Sequence, residues 1–420
     1  MRGDANSRTN MISKWTKWII VLLLGGILIV GGILTVKRYL QQQALAELVD
    51  NPKDVPKWTA DPRPLQSEAA TRKQFTSLNR ENKSRHVTFS NLKFGIIPGL
   101  RGAWSINNQT NKPVFGTDWV PQGLTQSDKK YFISVYDGDH KLNSLIFQID
   151  KKTRKYDKSL ILNSMAHVGG ITYEEKHKQL IYSNDLNGVA GFGAIKQGTI
   201  DAYNPQIVKR AIKSKKIPFA LGTRTSAITT YKNLLVVAKY GKNPAHRSIV
   251  LIPTNKTGLP NSISISQRKK YIQRFLKDEK DHHLSAKSKK AAIINLMNWF
   301  VENKVIDAYY PGWDSVQGVS MLNNGLAILS QSAGNLPGTV LIKVQNYSDH
   351  HPLHFDFKSP DIGSDRFKVP HSVEEVSIDH QMNTISMVFE SGAKEYRERR
   401  VGSNYATYVD RFAILPYESQ

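Results

Sequence analysis

The chain has 420 residues, no cysteine, and 58 lysine and arginine residues against 35 aspartate and glutamate, a formal charge of +23. Absence of cysteine excludes disulfide staples and a cysteine-borne lipid anchor, so any exterior domain must hold together through its own core, a habit of secreted Gram-positive proteins. The length allows one large all-β domain and does not fix the domain count.

The first informative segment is Trp18 to Val36, WIIVLLLGGILIVGGILTV, which is uncharged and long enough to cross about 30 Å of hydrocarbon. A cleaved signal peptide is the competing reading, because Ala44-Leu45-Ala46 has the small-x-small form of a cleavage site. The length of the apolar run, with Lys37 and Arg38 ahead of that site, favours an uncleaved anchor. Arg2, Arg8, Lys14 and Lys17 precede the span, whereas Glu47, Asp50 and Asp54 follow it, which favours a cytoplasmic tail over residues 1–17 and an exterior C-terminal part.

Residues 37–85 are polar, with Pro52, Pro56, Pro62 and Pro64 close together and Trp58 as the main large apolar residue. They are expected to form a stalk, helical near Tyr39 to Leu48 and extended beyond. From residue 86 onward the pattern changes to short β-rich runs punctuated by Gly, Asn, Asp and Lys.

Five copies of one motif organise this region: PQGLT (Pro121 to Thr125), VGGIT (Val168 to Thr172), TSAIT (Thr225 to Thr229), VQGVS (Val316 to Ser320) and VEEVS (Val373 to Ser377). Their third positions, Gly123, Gly170, Ala227, Gly318 and Glu375, are 47, 57, 91 and 57 residues apart. Each copy is followed by a turn and an apolar strand, YFISVY, QLIYS, NLLVVA, GLAILS and TISMVF, and then by a third strand, SLIFQID, GTIDAY, SIVLIP, TVLIKV and RFAILP. Repeats of this size predict an all-β fold, a β-propeller of five blades, in which small third-position residues sit on crowded inner strands. The segment HVTFSN, His86 to Asn91, is expected to close the ring with the last blade.

The long third spacing contains helical periodicity over about residues 267–305, with Ile272, Phe275 and Leu276 on one stripe and Ile293, Leu296, Met297 and Phe300 on another. This predicts an αα-hairpin inserted between blades. Its basic residues, Arg268, Lys269, Lys270, Arg274, Lys287, Lys289 and Lys290, suit a membrane surface or wall polymer, or form a plain solvated face.

Aligning the copies places Gln122, Gly169, Ser226, Gln317 and Glu374 at one position, with Val120, His167, Arg224, Ser315 and Ser372 two residues earlier. In a propeller each set forms a ring about the axis, so Gln122, His167, Arg224, Gln317 and Glu374 are candidate ligand groups at the channel mouth. Tyr136 and Asp139 after the second strand of the first blade, and Glu390 and Tyr396 after that of the last, are candidates on the rim. GVAGFGAIKQG, Gly188 to Gly198, is glycine-rich but is not followed by a convincing helix, which argues against a phosphate loop.

VPQGLT, YFISVYD with SLIFQID, HVGGITY, SVEEVSI and FESGAKEY resemble a widespread set of bacterial secreted or membrane-anchored propeller-like proteins, mostly without assigned function. The resemblance covers roughly Phe94 to Pro416 and implies the fold, not an activity. Glu374-Glu375 departs from the Glu-Gly pair of that pattern. VQGVS with HSVEEVS also faintly resembles the helveticin-type propellers.

The expected function is an anchored exterior propeller that binds or scaffolds at the cell envelope, with anionic wall polymer or an envelope protein as partner and no nucleic acid. The alternative is an anchored lactonase-like hydrolase or lyase acting at the channel mouth. No cofactor is expected; a divalent cation such as calcium, with Glu374 and Asp314 as ligands, belongs to the alternative. No serine-histidine-aspartate order, zinc spacing or nucleotide fingerprint stands out.

Overall fold

Each motif copy opens a four-stranded antiparallel sheet. Blade 1 comprises Trp119–Gln126, Lys130–Asp137, Leu145–Asp150 and Tyr156–Ile161, and blade 2 comprises Ile171–Glu174, Gln179–Ser183, Gly191–Lys196 and Lys215–Pro218. Blade 3 is built from Ala227–Tyr231, Leu234–Lys239, Ser248–Pro253 and Ala308–Pro311, and blade 4 from Val316–Met321, Ala327–Gln331, Gly338–Lys343 and Ser364–Val369. Blade 5 joins Val373–Asp379, Thr384–Phe389 and Arg411–Pro416 to Lys93–Ile96, which arrives from the N-terminal side and closes the ring. The chain is a five-bladed β-propeller. This computed structural model describes residues 5–82, 84, 86–185, 187–222, 224–241, 243, 247–276, 285–323, 325–343, 364–379, 381–401 and 404–417.

The fifth motif position explains itself in the ring. Thr125 Oγ1 accepts the Tyr173 N–H at 3.0 Å, Thr229 Oγ1 that of Met321 at 3.1 Å, and Ser320 Oγ that of Ile378 at 3.1 Å. Each hydroxyl thus stitches its inner strand to the next at the same register, so the inner strands run the same way. Second-strand serines add a second stitch: Ser134 Oγ accepts the Gly123 N–H at 3.0 Å and donates to Val168 O at 2.8 Å, and Ser330 Oγ donates to Glu374 O.

Apolar side chains fill the spaces between blades. Phe132 and Ile146 meet Ile171 and Leu180 between blades 1 and 2; Val236 and Ile249 meet Val319 and Leu329 between blades 3 and 4. Between blades 4 and 5, Ile328 and Phe367 pack with Val376 and Met387. Tyr131 against Phe412, ring centroids 5.0 Å apart, joins blades 1 and 5.

Four sequence expectations are corrected. GTIDAY is not the third strand of blade 2: Gly191–Lys196 is, and the helix Gln197–Ala202 follows it. The glycines hid this strand, since Gly193 pairs with Tyr182 and a Cβ there would lie 2.1 Å from that ring. The closing strand is Lys93–Ile96, slightly later than HVTFSN, although Val87 does bridge Tyr417.

The helical hairpin lies within blade 3, between its third and fourth strands, not between blades. Its helices Ile265–Gln273 and Ala286–Glu302 bury Ile272, Leu276, Leu296 and Phe300 on Ile217 and Phe219 of the blade 2 edge and Leu235, Val237 and Ile252 of blade 3. Ile293 is exposed, and the side chain of Lys289 lies outside the described residues.

The fourth correction concerns the expected stalk. The chain divides into two units, Met1–Val49 with Arg400–Asn404, and Asp50–Arg399 with Tyr405–Gln420. The first holds the helix Ala5–Ala46, whose stretch Trp18–Ala46 is unburied and is a candidate membrane span. From Asp50 on, the polar segment belongs to the propeller unit: Val55, Trp58, Leu65 and Phe75 are buried. Fully buried Asp410 holds it, accepting the N–H groups of Leu65 at 2.7 Å and Gln66 at 3.0 Å and the Thr71 hydroxyl at 3.0 Å. Its polarity satisfies that buried carboxylate; it is not the polarity of a free linker.

Candidate functional site

The inner strands of blades 1, 4 and 5 are irregular at their starts. Their pairing skips a residue between Pro121 and Gly123 and between Val316 and Gly318, and skips two between Val373 and Val376. The residues released from the ladder are Gln122, Gln317, Glu374 and Glu375. A bulge bends the strand and re-aims the side chain of its extra residue. Val168, Ser315 and Ser372, with φ of 47°, 50° and 60°, take left-handed backbone conformations at the same end of the channel, and for β-branched Val168 that is strained.

At this mouth Gln122, Glu374, Glu390, Tyr396 and Tyr136 come together from blades 1 and 5. Gln122 Nε2 faces Glu390 Oε2 at 3.5 Å, and Glu390 accepts a hydrogen bond from the Tyr396 hydroxyl. The carboxyls of Glu374 and Glu390 adjoin, and Glu374 Oε1 is buried with no hydrogen-bond partner among the described residues. Tyr396 packs on the cluster of Val120, Tyr136 and Ala393. The Tyr136 ring stacks on His167 at 4.0 Å between centroids and on His140 at 5.4 Å.

The electrostatics follow from burial. Glu374, 6% exposed, is pushed well above the usual carboxylate range by burial and then by the neighbouring charges of Glu390 and Glu375. Burial raises Glu390 to about 7 against the opposing hydrogen bonds of Tyr396 and Gln122 and the Arg399 charge. Two carboxyls in contact cannot both ionise cheaply, so the pair holds a proton near neutral pH. Burial, then the Glu390 charge, raises both Tyr136 and Tyr396 above the phenol range. His167 is exposed as a residue but is packed round by protein, its ring stacked on Tyr136; this desolvation, then Arg224, lowers it to about 4. The mouth offers several acceptors, one shared acidic proton and a neutral aromatic stack.

The remaining candidates are less engaged. Arg224 is exposed and touches the cluster only through its charge on His167; Gln317 is half-buried with no partner among the described residues. Asp139 is exposed and pairs with Lys141 at 3.4 Å, away from the carboxyl pair. Asp314 is bound to Arg247 at 2.8 Å. Among the described residues no group of three His, Asp or Glu side chains is arranged to hold a metal ion.

Sequence reasoning named Tyr136 and Glu390 on the rim but missed that they belong to a second ring with Asp185, Tyr240 and Ser332. Tyr136, Asp185, Tyr240, Ser332 and Glu390 each stand four residues after the second-strand partner of the fifth motif position, namely Phe132, Ile181, Val236, Ile328 and Ser386. Aligning second strands as well as first strands would have found it. Asp185 stabilises the ring by accepting Thr225 N at 2.7 Å and Gly191 N at 3.1 Å. Also missed was Arg397, fully buried, which donates to Gly392 O at 2.9 Å and Leu100 O at 3.5 Å and so fixes the turn that carries Glu390 and Tyr396.

A concavity of about 890 Å³ lies at the other end of the channel, where the inner strands end. Thr125, Thr172, Thr229, Ser320 and Ser377, the fifth motif position of all five copies, line it.

No protein-family model matches the chain, and no curated protein does. Solved propellers resemble it at the level of fold. The PQQ domain of pyranose dehydrogenase from Coprinopsis cinerea aligns over 80% of this chain and 97% of its own, at 10% identity and a TM-score of 0.36. A gluconolactonase from Xanthomonas campestris aligns over 87% and 99%, at 8% identity and a TM-score of 0.32. The PQQ-bound aldose sugar dehydrogenase of Streptomyces coelicolor aligns over 78% and 99%, at 8% identity and a TM-score of 0.31.

Proposed function

We propose that this chain is a single-pass membrane protein whose propeller lies outside the cytoplasm and serves as a binding module of the cell envelope. The observation that carries the reading is the convergence of Gln122, Tyr136, Glu374, Glu390 and Tyr396 from two blades at one end of the channel. Such a group of acceptors with one acidic proton suits hydroxyl- or ammonium-bearing groups of a ligand. The basic excess of the chain, most of which lies beyond the span, draws the domain to an anionic wall polymer over distance, and the mouth supplies the short-range hold. The span Trp18–Ala46 with its basic N-terminal flank supports an exterior propeller. Retention of the full chain on purified wall material should fall in Gln122→Ala and Glu390→Ala while both variants keep the wild-type circular dichroism; equal retention removes the mouth from this reading.

Hydrolysis is a second reading, favoured by the Glu374–Glu390 contact. A carboxyl raised to about 7 beside a second that keeps its proton is suited to proton transfer near neutrality. Lactone-opening activity lost in Glu374→Gln and in Glu390→Gln would select this reading over binding alone.

A further inference from the structure

The cavity opposite the mouth has a floor built by the repeat itself. Thr125, Thr172, Thr229 and Ser377 are each less than 10% exposed, and Ser320 is half-buried beside them. A hydroxyl carries one donor and two acceptor sites. Those of Thr125, Thr229 and Ser320 spend an acceptor site on the N–H of the next inner strand, and Ser377 Oγ accepts from Gln126 Nε2 at 3.3 Å. Each still has its proton to give. Among the described residues none of the five donates it to a protein acceptor, so five O–H donors converge on one concavity.

The rim decides what those donors meet. Lys176, Lys232 and Lys256 stand against Asp128, Glu174 and Glu175, while Lys151 is bound to Asp379 in an ion pair that joins blade 1 to blade 5. Glu174 is engaged by His177 Nδ1 at 2.7 Å and by Gln179 Nε2 at 3.2 Å, and Asp128 by Gln381 Nε2 at 3.2 Å. Opposite charges in equal number leave no net field to select an anion or a cation. Glu175, exposed on the rim, offers its carboxylate as an acceptor on the cavity side. Donors below and acceptors above match a molecule whose every group both donates and accepts.

We infer that this cavity is a second binding site, for a neutral, hydroxyl-rich ligand of saccharide size. Its volume of about 890 Å³ falls within the range of small-molecule sites, roughly 300–1,000 Å³. A free sugar and the end of a glycan share this chemistry. The site shares no residue with the carboxyl pair at the mouth and stands or falls without it.

The test uses the full chain in detergent, titrated calorimetrically with glucose, N-acetylglucosamine, maltose and chitobiose, with inorganic phosphate as the anionic comparison. At least one saccharide should bind; stronger binding of the disaccharides indicates a glycan end, and equal binding a free sugar. Thr172→Val removes a hydroxyl that makes no bond with the described residues, and Glu175→Gln removes the rim carboxylate. Each should weaken binding about tenfold, roughly one lost hydrogen bond to a charged or buried group, without moving the melting temperature. The inference is overturned if no saccharide binds, if phosphate binds in their place, or if both cavity variants bind as the wild type does.

Discussion

Glu375 stands in the space that Gly318 leaves open on the neighbouring inner strand, and its Oε1 accepts the Val319 N–H at 2.8 Å and its own chain's Val376 N–H at 3.1 Å. The one copy of the motif with a large third residue therefore fills the gap left by a small one next door. Burial pushes this carboxyl well above its usual range, so it holds its proton in the fold. Glu375→Gln preserves the acceptor and should change the urea-derived stability by less than about 1 kcal/mol. Glu375→Ala strands two buried N–H groups, at about 1–3 kcal/mol each. Equal losses in the two variants would refute the bridging role.

The crowding at third positions predicts a contrast between two glycines. A Cβ on Gly170 would sit 2.6 Å from Ile228 N, which is main chain and cannot swing away. Gly170→Ala should cost about 1–3 kcal/mol by overpacking. Gly198, on the short helix after the third strand of blade 2, has nothing within 4 Å of its Cβ position. Gly198→Ala should stabilise by about 0.4–1 kcal/mol. Thermal melts of the two variants should move in opposite directions.

The carboxyls at and beside the mouth make stability depend on pH with a definite sign. Glu374 and Glu375 titrate well above 4.5 in the fold and Glu390 at about 7, whereas unfolded glutamates titrate near 4.5. The folded state then binds more protons than the unfolded chain, and stability present below pH 4.5 is lost as pH rises through the folded values. His167, lowered to about 4 from 6.5, acts in the opposite sense, but its contribution is complete above 6.5. Between about pH 6.5 and 8 the urea midpoint should fall, and Glu390→Gln should flatten the slope. A midpoint that rises over this interval contradicts the protonated pair.

Much of this was legible because the propeller repeats its constraints. Gly123, Gly170 and Gly318 must be small where backbones crowd, and Thr125, Thr229 and Ser320 must carry a hydroxyl where the next strand needs an acceptor, so a small third residue recurs in four copies and a hydroxyl at the fifth position in all five. Gln122 and Glu374 could be placed at the mouth for the same reason. What the repeat does not constrain was unreadable. The outer strands face varied surroundings, Gly191–Lys196 looked like a loop because Tyr182 occupies the space above Gly193, and Asp410 binds Leu65 and Gln66 from the other end of the sequence. Arg397 gave no signal, since an arginine in a charged run reads as exposed.

The proposed exterior location of the propeller rests on the candidate span and its basic flank. Protease added to intact cells stripped of their wall should remove the propeller and leave a short membrane-bound fragment beginning before Trp18. Protection of the propeller until the membrane is permeabilised places it on the cytoplasmic side and ends the envelope proposal.

The most direct test of the account is retention of the full chain on purified wall material across a salt series, with Glu390→Ala and the double variant Lys287→Ala/Lys290→Ala in parallel. Long-range attraction is screened within about 3 Å at 1 M salt, whereas a short-range hold at the mouth is screened far less. The account predicts that the wild type stays bound at high salt, that the lysine variant is weakened only at low salt, and that Glu390→Ala binds at low salt and is released at high salt. Wild type and Glu390→Ala eluting together at every salt concentration would contradict it.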